Sequence, residues 1–377
     1  MFLKTGINTY RKKMKIFIAH ENPYNAGNPY IFTLMDCISQ HHPDVKWGWG
    51  LSDFWSESIF SYDIVHFHWP QAFMASDKKK HTMSDFSDRI LKLKNKGIRI
   101  IATCHDLTPH YKQCAEFSKA LDIVYKTADT ILHLGEYSKE LFKNRYPNCN
   151  HYLLPHHIYD TIYKEFPTRE EALNQLKLKG SNTYILCLGM FRSDEEQKLV
   201  LDCAKKLKNK KIYFLAPAFM NVLKRRYLKF LPSTSRIKQL YFKWKYNIIC
   251  TGKTWIPITD NEIPFYYAVA DLAFVHRLKI LNSGNAILPM LFKKIIVGPN
   301  VGNVGILLKK WKYPTFDPEK PQLAYKAIED GLNFAHSNVF SHKHKEQYKL
   351  YSTSTISNKL YEYFQNELQY SFHAKNS

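Results

Sequence analysis

Short apolar runs of strand length alternate with helical stretches along this chain, and the alternation runs twice. Parallel strands need a crossover between them, usually a helix, so this rhythm marks a parallel α/β sheet. The first block has strands at Lys15–Ala19, Tyr62–His68, Arg99–Thr103, Ala128–Leu134 and His151–Pro155. Helices are expected at Tyr30–His41, after the turn Asn25-Ala26-Gly27-Asn28-Pro29, and at Met83–Lys96. The stretch from Ile158 to Ser181, with Pro167 and many charges, reads as a linker. Strands then resume at Tyr184–Gly189, Lys211–Ala216, Asn247–Thr251, Asp271–His276 and Lys294–Gly298. Helices are expected at Asp194–Lys208, Glu262–Ala270, Asn285–Phe292 and Gln322–Phe334. The expected fold is α/β, with two Rossmann-like parallel-sheet domains facing a cleft. In such sheets ligands bind beyond the carboxyl ends of the strands, so functional residues should lie just after them.

With 377 residues, 45% of them hydrophobic and 23% charged, the chain has ample material for two cores, and disorder is excluded as its main state. The expected division is 14–165, 166–350 and a C-terminal segment 351–377. The formal net charge is +21, which draws polyanions of any kind. The surplus is uneven. Residues 203–259 contain no Asp or Glu, while Lys224, Arg225, Arg226 and Lys229 lie among interleaved aromatics. These four are candidates for an anionic membrane surface or another polyanion. Nucleic acid ranks lower, because no nucleic-acid-binding motif accompanies them. The seven cysteines include no C-x-x-C pair and sit mostly in apolar runs, which fits buried thiols in a reducing compartment. The basic start carries no apolar run suited to a signal peptide, and Met14, just before the first strand, is a candidate start. The expected location is the cytoplasm, with a peripheral position on the inner face of the cell membrane as a variant.

The candidate site residues follow strand ends. Gly189 permits a sharp turn after its strand; Arg192 and Lys198 follow it near a helix start expected at Ser193 or Asp194. Cations beside a helix N-terminus suit a diphosphate. Arg277 and Lys279 follow the strand at 271–276. The turn Asn282-Ser283-Gly284-Asn285 then opens an apolar helix whose free amides suit the same ligand. His105, followed by Asp106, sits where an imidazole can orient a hydroxyl. His66 and His68 share one strand face and precede Trp69; without a third ligand they read as packing or substrate contacts rather than zinc. Gly27 lies in the first strand-to-helix turn. No D-x-D pair occurs, so a nucleotide diphosphate would be neutralised by cations and helix ends, with no metal or cofactor expected.

Taken in order, Asp63-Ile64-Val65-His66-Phe67-His68-Trp69-Pro70, Ala102 to Pro109, Leu153-Leu154-Pro155-His156-His157, Leu188-Gly189-Met190-Phe191-Arg192, and Leu281-Asn282-Ser283-Gly284-Asn285 through Val297 to Asn303 are informative. Over Met14 to about Asn333 the chain resembles the retaining GT-B glycosyltransferases, of the group 1 or family-4-like type found in bacterial surface-polysaccharide synthesis. The resemblance implies a nucleotide-sugar donor on the second domain and a saccharide or lipid-linked saccharide acceptor on the first. It implies that Arg192 and Lys198 neutralise the leaving diphosphate, that Ser283 and Gly284 lie in the donor-phosphate loop, and that His105 contacts the sugar. Gly27 matches the glycine-rich first loop, and 357–368 is expected to return as a helix onto the first domain. The paired glutamates common in that family are replaced here by Leu281 and Pro289, which leaves the donor sugar open. Two other readings remain: a non-catalytic polyanion- or membrane-binding protein with this shell, and a nucleotide-sugar epimerase or phosphorylase on the same fold.

Overall fold

The computed structural model describes residues 13–25, 27–77, 80–107, 115–222, 236–251, 258–335 and 340–376. Its first sheet contains β1 (Lys15–Ala19), β2 (Lys46–Trp49), β3 (Ile64–Phe67), β4 (Arg99–Cys104), β5 (Thr130–His133) and β6 (Asn150–Leu153). The strands are all parallel, in the order β2-β1-β3-β4-β5-β6. The second contains β7 (Thr183–Leu186), β8 (Ile212–Leu215), β9 (Ile248–Ile249), β10 (Leu272–Phe274), β11 (Ile295–Pro299) and β12 (Thr315–Phe316). It too is parallel, in the order β12-β11-β10-β7-β8-β9. The first sheet reverses its strand order between β1 and β3, and the second between β7 and β10. Those switch points are where doubly wound sheets open a crevice.

Helices cover both faces, so the inner strands are largely apolar and buried throughout: every residue of β3, β5, β10 and β11 is buried, the polar His66, Thr130 and His133 included. The helix Tyr30–His41 buries Tyr30, Ile31, Leu34, Met35 and Ile38, the spacing of one helical face. The amide of Tyr30 at its start donates to Asn28 Oδ1 at 3.0 Å. The helix Asp194–Leu207 is capped by Ser193, whose hydroxyl accepts from the Glu196 amide at 3.3 Å.

The stretch expected as a plain linker contains the helix Arg169–Gln175, held by a capping box between Thr168 and Glu171. The signal was present as Thr168-x-x-Glu171, but Pro167 and the surrounding charge masked it. The chain crosses between lobes twice, and the two crossings bind each other. The Ile158 amide donates to the Tyr351 carbonyl at 2.9 Å, and the Thr353 amide to Asp160 Oδ1 at 2.8 Å. The helix Thr353–Asn376 then lies against the helix Tyr30–His41 of the first lobe. Its Ser357 hydroxyl meets Cys37 Sγ at 2.9 Å. Its Glu367, almost fully buried, accepts from Arg99 Nε at 3.0 Å and from the Thr130 hydroxyl at 3.1 Å. Among the described residues no helix is long and apolar enough to cross a membrane.

Candidate functional site

The carboxyl ends of β7 and β10 are tied together by side chains that follow them. The chain turns at Gly189 with φ of +99°, and a Cβ there would come within 2.2 Å of Asn285 Nδ2. Only glycine meets both conditions. Asn285 Nδ2 donates to the Leu188 carbonyl at 3.0 Å, which fixes the turn to the start of the helix Gly284–Leu291. Ser283 caps that helix, its hydroxyl accepting from the Asn285 amide at 3.2 Å. Arg277, just beyond β10 and largely buried, donates from Nη2 to the Met190 carbonyl at 2.9 Å. The Arg192 amide donates to Glu196 Oε2 at 2.7 Å, while the residue as a whole is exposed. The backbone of Arg192 is thus pinned and its guanidinium is presented to solvent.

The facing wall comes from the first lobe. His105, just after β4, stacks on Trp69 with ring centroids 4.2 Å apart and meets Tyr30 edge-on at 5.0 Å. Its Nε2 lies 3.0 Å from His68 Nδ1. Burial, followed by the neighbouring His156 and His66, holds the His105 imidazole well below its ordinary pKa. At neutral pH it is therefore uncharged and serves as a hydrogen-bonding group. Tyr159, at the lobe crossing, places its hydroxyl 3.2 Å from His156 Nε2 and 3.3 Å from Asn28 Oδ1.

Between the two walls lies a cleft of about 990 Å³. It is lined by ten of the residues singled out from the sequence: Gly27, Trp69, His105, Gly189, Arg192, Arg277, Asn282, Ser283, Gly284 and Asn285. Four others lie elsewhere. His66 is buried behind the wall, its Nε2 2.8 Å from the Thr103 hydroxyl, and His68 stands behind His105. Their strand face points into the sheet's packing, so neither lines the cleft. Lys198 is exposed on the helix Asp194–Leu207 beyond its first turn; the Glu195 carboxyl is held below its ordinary pKa by a hydrogen bond from the Ser193 side chain, then by one from its own backbone, and exposed Lys279 stands near enough to add to this. Lys224, Arg225, Arg226 and Lys229 lie outside the described residues.

The cleft also has members that the strand-end reasoning did not single out. Asp106, His156, Tyr159, Pro217, Thr259 and Asp260 line it. Pro217 and His156 each follow an expected strand directly and were findable by that rule, whereas Tyr159 comes from the crossing between lobes. Asn303 acts behind the wall. Its Nδ2 donates to Asn282 Oδ1 at 2.8 Å and to the Ser138 hydroxyl at 3.0 Å, while its Oδ1 accepts from the Ser138 amide at 3.1 Å. A Cβ on Gly135 would stand 2.5 Å from Asn303 Cγ, so this contact requires glycine on the first lobe. Among the described residues no group of three His, Cys, Asp or Glu side chains is arranged to hold a metal ion.

No protein-family model and no curated protein sequence matches the chain. Solved structures do match it over nearly its whole length. A sucrose-phosphate synthase from Thermosynechococcus elongatus is 12% identical, with a TM-score of 0.66 over 94% of this chain and 98% of that one. Anabaena HepE in complex with UDP-glucose is 14% identical, with a TM-score of 0.64 over 94% and 100%. A glycosyltransferase from Rickettsia africae is 11% identical, with a TM-score of 0.62 over 95% and 99%. At these identities the likeness establishes the fold, which is the GT-B architecture expected from the sequence.

Proposed function

We propose that the protein is a glycosyltransferase that moves a sugar from a nucleotide-sugar donor to a saccharide or lipid-linked saccharide acceptor. The observation that carries this reading is the meeting of Arg192, Arg277 and the Ser283–Gly284 helix start with His105 in one cleft between two Rossmann-like sheets. Breaking the bond to a nucleoside diphosphate develops negative charge on the leaving oxygens. A cation and the positive end of the helix Gly284–Leu291 stabilise that charge. Arg192 is the exposed cation suited to this task; Arg277 adds positive charge behind the Met190 carbonyl. Neutral His105, stacked on Trp69, orients a hydroxyl of the transferred sugar. Trp69, Gly27 and the first-lobe wall receive the acceptor.

The reading extends to finer points. A retaining outcome, with the acceptor hydroxyl attacking on the face that the phosphate leaves and the departing phosphate taking its proton, follows the family-4-like resemblance. So does a role in bacterial surface-polysaccharide synthesis. Metal independence is proposed because cations and a helix end stand where clustered carboxylates would otherwise be needed. A cytoplasmic setting accords with the six described cysteines, all of them free thiols. The test is calorimetric titration with UDP, GDP, ADP, TDP and CMP, followed by turnover of the sugar nucleotide built on the tightest binder, with and without EDTA. HepE was solved with UDP-glucose, so a uridine sugar comes first. Binding of one diphosphate, and EDTA-resistant release of it from its sugar in the presence of acceptor, is the expected result. Binding of none of them would end the proposal.

A further inference from the structure

The helix Arg236–Tyr246 has two unlike faces. One packs inward through Lys238, Phe242 and Tyr246, with Phe242 against Phe219 at 5.2 Å between ring centroids. The opposite face is apolar and lies in solvent: Ile237, Leu240 and Trp244 are 60%, 65% and 78% exposed. At roughly 100° per residue these three, with Tyr241, form a single stripe roughly 100° wide. Cations border it on both sides. Arg236 and Lys243 stand along one margin and Lys245 along the other, with Lys245 Nζ donating to the Tyr241 hydroxyl at 2.9 Å. The helix sits within the 203–259 stretch that contains no acidic residue.

We infer that this helix is a membrane-surface element that lies flat on an anionic bilayer, with Leu240 and Trp244 inserted at the acyl boundary and the flanking cations among the headgroups. Three features select this occupant. Leucine and isoleucine gain nothing from a nucleic acid backbone but partition favourably out of water into lipid. Tryptophan settles at the headgroup level, where its ring is dry and its N–H wet. A second copy of the same face would set Arg236, Lys243 and Lys245 against like charges, which disfavours a symmetric self-contact. With 11 residues the helix is too short to span a bilayer, so a flat position at the interface is the one membrane placement open to it. The surface is separate from the cleft and does not depend on the transferase reading.

Co-sedimentation of the full chain with vesicles, with no sugar donor present, tests it. Vesicles of phosphatidylcholine mixed with phosphatidylglycerol should bind the protein, and binding should weaken with salt. The double variant Leu240→Ser/Trp244→Ser should lower the partition coefficient about ten-fold or more. Lys243→Gln and Lys245→Gln should each lower it about five-fold. Trp244→Phe should retain most of the binding while removing the blue shift of tryptophan emission on vesicle addition. These side chains are exposed, so an unchanged unfolding midpoint in each variant establishes that the fold is intact. Equal binding to phosphatidylcholine alone, or unchanged binding by the double variant, would overturn the inference. So would displacement of vesicles by polyuridylate whose own binding falls equally in the double variant, since that face would then be a nucleic-acid surface. Because sugar transfer is not measured, none of these results bears on the proposed reaction.

Discussion

The side-chain amide of Asn282 donates to the carbonyls of Cys104 and His105, at 3.1 and 2.8 Å, so the loop that opens the helix Gly284–Leu291 hangs from the strand end carrying His105. Asn282 lies in the cleft wall, but its polar atoms are spent on the bridge: Nδ2 crosses to the two first-lobe carbonyls, and Oδ1 accepts within its own lobe from Asn303, which itself reaches Ser138 of the first lobe. The two sides of the proposed reaction are mechanically coupled through this residue. Asn282→Ala should cost about 2–3 kcal/mol, since each such hydrogen bond contributes about 1 kcal/mol. It should also raise the radius of gyration by letting the lobes part. Small-angle scattering and urea unfolding measure both effects. Asn303→Ala should act in the same direction, and the double variant should lose less than the sum of the two. Unchanged scattering and stability would show that the bridge does not hold the lobes.

Arg192 separates catalysis from folding. Its side chain is exposed, and among the described residues its one hydrogen bond is from the backbone amide to Glu196. Arg192→Ala should lower turnover about 100-fold or more if the guanidinium meets developing phosphate charge. The unfolding free energy should stay within about 0.5 kcal/mol of the parent value. Full turnover in this variant would remove Arg192 from the mechanism.

Gly189→Ala tests the junction between β7 and the helix Gly284–Leu291. The positive φ and the crowding by Asn285 should together cost about 1–3 kcal/mol. The added methyl also pushes Asn285 off the Leu188 carbonyl, so nucleotide affinity should fall along with stability. Calorimetry of the variant that retained full affinity would mean that this turn does not shape the ligand site.

Acid should unfold the protein through its interior histidines. Burial pushes His66 and His276 down to about 3 and His156 to about 4. The unfolded chain binds these protons near the ordinary pKa of about 6.5, whereas the folded chain excludes them. Stability from this source is complete above that value and drains away as pH falls toward 4 and then 3. The slope is about 1.4 kcal/mol per pH unit for each imidazole forced to charge. Unfolding midpoints at pH 7.5, 6 and 5 should therefore decline steadily; a flat profile would contradict the buried, neutral assignment.

Much of the fold could be read from the chain because parallel strands buried on both faces are near-continuous apolar runs: β1 and the helix Tyr30–His41 were expected where they occur. β2 was missed for a physical reason. Lys46-Trp47-Gly48-Trp49 has a glycine in its middle and little burial, and it becomes a strand by pairing with β1. The two-residue β12 likewise exists only through its pairing with β11. At the site, residues placed by strand ends, such as Arg192 and Ser283, were accessible to the same reasoning. His66 and His68 were not separable from His105 by sequence, because which ring faces solvent depends on how β3 and β4 register. The role of Asn303 is not legible in the sequence, since its partners Ser138 and Asn282 are remote along the chain.

Leu281 stands just ahead of the loop that Asn282 suspends, and it packs into an apolar cluster otherwise built entirely by the first lobe, among residues such as Phe67 and Cys104. Together with the returning helix Thr353–Asn376, this means that the molecule's seams do not coincide with its chain crossings. A hybrid that borrowed its second half from a relative, cut at the mid-chain crossing, would import a foreign plug into a core shaped for leucine and discard the helix that braces the first half. Any exchange of specificity between such proteins must therefore be made wall by wall within the cleft rather than by trading halves.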